Sequence, residues 1–178
     1  MSIAPICDGY CGTAVGGAEI VDHYIEPMLR IDKDILQQII AHAERAYPTE
    51  CCGILVGRRE DMRIVTAARP AANVSRDGRR DRYEIDPADI HRVSREAEGT
   101  ADQIIGFYHS HPGFPPHPSV HDAMKAWPYY SYLIVSVRNG TNGGSIAFRS
   151  WVWQNGKGEF REEPVEVALA PPQADAMP

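Results

Sequence analysis

At 178 residues, with 43% hydrophobic and 24% charged side chains, the chain is long enough for one domain with a real core and is ordinary in polarity. A formal net charge of −6 argues against a nucleic-acid partner, because phosphate binding needs basic surface. No apolar run approaches the roughly 20 residues that span a bilayer. Met1–Gly17 lacks the positive start and apolar stretch of a secretory signal, so no membrane partner and a cytoplasmic location are expected.

Residues 1–27 carry Gly, Pro and Cys without periodicity and read as a flexible extension. Residues 170–178 read as a tail, which leaves 28–169 for the domain. From Asp32 to Tyr47, the residues Ile35, Leu36, Ile39, Ile40, Ala43 and Tyr47 recur at helical spacing, and Pro48 ends that helix. Cys52–Val56 is a short apolar run expected as a buried strand, with Met62–Ala68 its neighbour across a charged turn. The basic cluster Arg76–Arg82, broken by Asp77 and Asp81, reads as a solvated loop, with substrate contact as the lesser reading. Asp86 is placed to cap a helix with Pro87 in its first turn, ending near Gly99. Gln103–Tyr108 predicts a strand, Ser119–Trp127 a helix and Tyr132–Val137 a strand. Asn139–Gly144 is a turn, Ser145–Gln154 a strand, and Asn155-Gly156 begins the turn into a last strand near Glu159–Val167. This mixed order, closing in antiparallel hairpins, predicts a single α+β or three-layer sheet-and-helix domain. Cys51 and Cys52 are neighbours, and Cys7 with Cys11 is too little for a structural metal site, so all four cysteines read as reduced thiols.

The densest chemistry lies between His109 and Asp122. Residues i and i+2 of a strand share a face, so His109 and His111 point the same way if the strand runs on through them. Pro112 stops the strand, and the Pro-rich stretch to Pro118 is a stiff return that can bring Asp122 back to the histidines. Two His and one Asp can hold a zinc ion and leave a fourth position open to water. Glu50, far upstream in Pro48-Thr49-Glu50-Cys51-Cys52-Gly53, supplies a base beside that water. Each part has a plainer reading alone. Ser119-Val120-His121-Asp122 is a capping box, and His-x-His pairs occur on ordinary strands. Their combination at these spacings outweighs both.

A distant Glu, then His-x-His-Pro, six residues and Ser-x-x-Asp, falls here on Glu50, His109, His111, Pro112, Ser119 and Asp122. On these residues the chain resembles the JAMM (MPN+) zinc metallopeptidase family, in its stand-alone prokaryotic branch. The flanks Cys52–Gly57, Gly106–Tyr108 and Tyr132–Ser136 are similar too, and the resemblance covers about residues 28 to 155. It implies a three-layer, cytidine-deaminase-like MPN fold: a curved mixed β-sheet flanked by helices, with the metal site at strand, loop and helix. It implies one Zn2+ per chain on His109, His111 and Asp122, with water as the fourth ligand. Glu50 would move a proton from that water to the leaving amine, and Ser119 would donate to the developing oxyanion.

The resemblance further implies cleavage after the C-terminal Gly-Gly of a ubiquitin-like sulfur-carrier protein, releasing cysteine or trimming the carrier. An isopeptidase that removes ubiquitin-like modifiers from lysine is the alternative of the same class. A catalytically silent MPN scaffold is the alternative of another. The RadC branch fits less well, since it carries Asn where this chain has Ser110. Tyr83, Ser110 and His117 are candidate substrate contacts, although Ser110 reads equally as a loop residue and His117, like His121, as an exposed one. His23, His42 and His91 read as surface residues. Trp151 and Trp153 share a strand face, for core packing or as a platform for an extended peptide. A homodimer stays open.

Overall fold

The computed structural model describes residues 28–76, 81–138, 145–154 and 157–169. The expected N-terminal extension with Cys7, Cys11 and His23, the tail, the Asn139–Gly144 turn and the Asn155-Gly156 turn lie outside the described residues.

The chain enters through a strand absent from the sequence expectations, β1 (Leu29–Asp32). Four residues with a single buried–exposed alternation carry too little pattern to announce a strand. Helix α1 (Lys33–Ala46) follows at once, capped by Asp32, whose side chain accepts from Asp34 N at 2.8 Å. Strands β2 (Cys52–Arg59) and β3 (Arg63–Ala71) form a hairpin, and β3 runs three residues past the expected end at Ala68. Helix α2 (Pro87–Ala97) is capped by Asp86 as its sequence predicts. Strand β4 (Gln103–Pro112) continues through both histidines. Helix α3 (Val120–Lys125) is shorter than expected, starting after its cap Ser119 and stopping before Trp127. Strands β5 (Ser131–Arg138), β6 (Ser145–Gln154), β7 (Glu159–Glu163) and β8 (Val165–Ala168) complete the order.

The expected single last strand is two. Pro164 has no N–H to give a ladder, and at that residue the chain leaves one edge of the sheet for the other. The strand order β7-β6-β5-β4-β2-β3-β1-β8 places the consecutive β7 and β8 at opposite ends, so the sheet must curl until its edges meet. Arg63 of β3 and Glu163 of β7 close that seam with a 2.6 Å ion pair. The sheet is mixed: β1–β3, β1–β8 and β4–β5 are parallel, the other pairs antiparallel.

Helices cover both faces. Leu36, Ile39, Ile40 and Ala43 of α1 pack on Leu55, Ile105, Tyr108, Leu133 and Val135. Val93 of α2 packs with Ile54, Phe107, Tyr132, Ile134 and Trp151 on the other side. A bulge decides which residues face where. Leu55 pairs with Gly106 but Val56 with Ile104, which leaves Ile105 unpaired and reverses the alternation of β4 at that point. Phe107 thereby joins the α2 face, and His109 and His111 follow it two and four residues on. A Cβ at Gly53 would overlap the Tyr108 ring, so the β2 backbone opposite that tyrosine has room only for glycine. The three-layer, mixed-sheet architecture expected from the sequence is the one observed.

Candidate metal centre and its cleft

The C-terminal end of β4 brings the chemistry together. His109 Nε2 and His111 Nε2 lie 3.0 Å apart. Asp122, in the first turn of α3, sets Oδ1 3.3 Å from His109 Nε2 and Oδ2 3.8 Å from His111 Nε2. The three side chains are buried, and their donor atoms lie within 4.8 Å of one another. His111 Nδ1 donates to the Pro115 carbonyl at 2.9 Å. A carbonyl only accepts, so the ring proton sits on Nδ1 and Nε2 presents its lone pair to His109 and Asp122. The His109 plane is held differently: its Nδ1 has no hydrogen-bond partner among the described residues, and Tyr83 stacks on the ring at 4.2 Å with a 23° tilt. Two imidazole nitrogens and a carboxylate oxygen, converging at a buried point beside an open cleft, fit a zinc ion with one position left free.

Asp122 serves two structures at once. Ser119 N donates to Asp122 Oδ2 at 2.6 Å, and Asp122 N donates to Ser119 Oγ at 3.2 Å, which is the capping box in full. The cap orients the carboxylate and leaves Oδ1 for the histidines. Burial alone would raise this carboxyl, but the His109 imidazole, with hydrogen bonds from His109 and Ser119, holds it well below the usual range. Burial and the neighbouring His109 depress His111 to about 4, so it is neutral near pH 7. Ser119 Oγ accepts from Asp122 and keeps its own proton for another partner.

Glu50 stands at the edge of this cluster, with Oε1 4.0 Å from His111 Nε2. Burial, then the charges of Asp122 and Asp81, push its carboxyl up to about 8. A divalent cation nearby would draw it back down. Its backbone is fixed from two sides. Ser110 Oγ accepts from Cys51 N at 2.9 Å while Ser110 N donates to Cys51 O at 3.0 Å. Asn73 Nδ2 donates to the Glu50 carbonyl at 3.0 Å.

The Pro-rich loop is held by three successive carbonyls. Ser136 Oγ donates to Phe114 O at 2.5 Å, His111 Nδ1 to Pro115 O, and Trp151 Nε1 to Pro116 O at 2.9 Å. The cleft above has a volume of about 870 Å³. Glu50, Tyr83, Ser119 and Asp122 line it, as do the apolar Ile85, Ile90, Phe107, Trp127 and Tyr132. A Glu84–Lys125 pair at 3.2 Å joins the segment after residue 80 to α3.

The candidates from sequence are thus sorted by position. Glu50, Tyr83, Ser119 and Asp122 share the cleft, with His109 beneath Tyr83 and both histidines beside Asp122. Ser110 is fully buried and points to the opposite face of β4, against Cys51, so it does not reach a substrate there. His117 is exposed, with its ring 5.3 Å from Trp151, and is not among the cleft-lining residues, whereas His121 is. Arg76 and Arg82 line the cleft rather than standing apart from it, and residues 77–80 between them lie outside the described residues. Trp151 is buried and anchors the loop, so it is no platform, while Trp153 packs on Phe160. Sequence reasoning missed Asn73 and Ser136. The only local signal was Asn73-Val74-Ser75, an Asx-turn pattern in which Asn73 Oδ1 accepts from Ser75 N at 3.1 Å.

A three-layer mixed sheet with a His-x-His strand end and a capped Asp defines the JAB/MPN class of domains. The chain belongs to the prokaryotic homologs of the JAB domain, whose family model matches residues 32–154, from the cap of α1 to the end of β6. It is 38% identical over 144 residues to a desampylase of Haloferax volcanii, which covers 78% of this chain and 96% of that protein. It is 30% identical over 141 residues to the CysO-cysteine peptidase of Mycobacterium tuberculosis, over 79% of this chain and 91% of that one. The solution structure of a protein from Desulfitobacterium hafniense is similar at a TM-score of 0.68 and 28% identity, covering 80% of this chain and 94% of that one. Among the described residues, no helix is long and apolar enough to cross a membrane.

Proposed function

We propose that residues 28–169 form a zinc-dependent peptidase that hydrolyses the amide bond after the C-terminal Gly-Gly of a ubiquitin-like sulfur-carrier protein. The observation that carries this reading is the convergence of His109, His111 and Asp122 at one buried point, with Glu50 at its edge. Similarity to a desampylase and to a CysO-cysteine peptidase supports the substrate class.

His109, His111 and Asp122 would hold the ion. When bound, zinc supplies Lewis acidity and brings the pKa of water toward about 7. Burial alone would keep Glu50 protonated, and beside a bound cation its carboxylate is restored, which then accepts the proton of the attacking water and passes it to the leaving nitrogen. Ser119, still holding its hydroxyl proton, donates to the carbonyl oxygen as charge develops there. Tyr83 keeps the His109 ring in plane and walls the cleft. A Gly-Gly tail carries no side chains, so its backbone can approach a buried centre closely.

The test is Glu50→Gln, assayed for zinc content and for release of cysteine from a sulfur carrier extended by cysteine after its Gly-Gly. Zinc retained at one per chain with hydrolysis abolished is the expected result. Zinc loss in that variant, or retained turnover, would defeat the assignment. Faster cleavage of a lysine-linked conjugate than of the cysteine adduct would keep the chemistry and transfer the substrate to the isopeptidase reading.

A further inference from the structure

The Asn73 side chain uses every hydrogen-bonding position it has. Nδ2 donates to Glu50 O at 3.0 Å and to Arg82 O at 3.1 Å, and Oδ1 accepts from Ser75 N at 3.1 Å and Glu84 N at 3.2 Å. One amide therefore joins three segments: the turn that ends in Glu50, the chain leaving β3, and residues 82–84. The arms around it are zipped by an isolated Asn73–Ile85 bridge and by Val74 N to Glu84 O at 2.9 Å. Tyr83 lies between the two residues that Asn73 binds, and its ring stacks on His109.

An ordinary turn asparagine needs only the Oδ1 bond to the residue two ahead. The Nδ2 bonds go elsewhere, to residues 23 and 9 positions away. With Ser110 clamping Cys51 from β4, the Asn73 bond fixes the peptide plane after Glu50, and that plane sets where the Glu50 side chain points. We propose that Asn73 is a positioning residue of the reaction: through one amide it aims the Glu50 carboxylate at the metal centre and holds Tyr83 against His109. The proposal rests on Glu50 acting as the base. Asn73 itself is neither a proposed metal ligand nor a cleft-lining residue, but the four residues it binds all line the cleft.

The variants Asn73→Asp and Asn73→Ala test it. Asn73→Asp keeps an acceptor for Ser75 and Glu84 but replaces the donor with an oxygen facing two carbonyls, and Asn73→Ala removes all four bonds. Turnover of the cysteine-extended carrier is measured per zinc-loaded chain, with zinc content, melting temperature and, in the metal-free protein, hydrogen exchange at Ser75 and Glu84. In both variants kcat falls by about 10- to 100-fold with KM little changed and zinc content intact, as a displaced base predicts. Exchange at Ser75 and Glu84 quickens in Asn73→Ala. Wild-type kcat per loaded chain, even with a lowered melting temperature, reduces Asn73 to a turn stabiliser and overturns the proposal. So does a loss confined to KM, or failure of both variants to fold. Glu50→Gln runs alongside as the reference. Turnover by that variant sinks the functional reading itself, whereas an inactive Glu50→Gln beside an unimpaired Asn73→Asp sinks only the role of Asn73.

Discussion

His111 donates through Nδ1 to the carbonyl of Pro115, 2.9 Å away, so the loop that follows the His pair selects the tautomer of its second member. The same loop is held at Phe114 by Ser136 and at Pro116 by Trp151. Ser136→Ala removes one anchor without touching a proposed ligand. It is expected to weaken zinc retention by about tenfold, at the low end of the range for residues that orient metal ligands. Competition with a chromophoric chelator measures this, and unchanged affinity would mean that His111 and Trp151 suffice.

Ser119 is both helix cap and proposed oxyanion donor, and the two roles separate by magnitude. Loss of the cap in Ser119→Ala costs about 1 kcal/mol of stability. Loss of a donor to the developing oxyanion lowers kcat by about 10²- to 10³-fold. Both effects are expected together, in urea unfolding and in turnover. A stability loss with full kcat would confine Ser119 to the cap.

The seam of the curled sheet rests on a buried charge pair. The Glu163 side chain is fully buried, pairs with Arg63 at 2.6 Å and accepts from Ser150 Oγ at 2.8 Å. Glu163→Ala strands the Arg63 guanidinium, whose side chain is only 14% exposed, and is expected to destabilise the fold by about 3–5 kcal/mol. The pair lies outside the cleft, so zinc affinity of the folded fraction stays near wild type. Denaturant unfolding with and without zinc reads both.

Burial pushes the Cys51 thiol up to about 11 and Cys52 to about 12. The folded chain then keeps protons that the unfolded chain releases near pH 9, so stability is unaffected below pH 9 and falls as pH rises from there, toward 11 for Cys51 and toward 12 for Cys52. Two outcomes are expected. Iodoacetamide at pH 8 leaves both cysteines unmodified in peptide maps of the native protein. Replacing both by alanine flattens the decline in melting temperature above pH 9. Ready alkylation at pH 8 would show that the N-terminal end of β2 opens in solution.

The chemistry was legible early because its residues are clustered. His109, His111, Ser119 and Asp122 fall within one strand–loop–helix unit, where strand alternation, proline stiffness and a capping box each leave a local mark. The cap Asp86 was legible for the same reason, since a cap acts within three residues of itself. Strand β1 was not, because four residues carry too little alternation and its pairing partners lie far along the chain, and nor was the break at Pro164 that makes β8 a strand of its own.

By itself the sequence determined the residues of the candidate metal site, the layer class and the family. The tertiary structure alone decided what holds that site in shape. Asn73 reaches Glu50 across 23 residues, Trp151 reaches Pro116 across 35, and Arg63 reaches Glu163 across 100. Likewise, the bulge at Ile105 decided which face the histidines take, and it shows only in the register of β4 against β2. A hydrogen bond between distant segments leaves no periodicity in either one, so its partners appear only when the sheet brings them within 3 Å or so of each other.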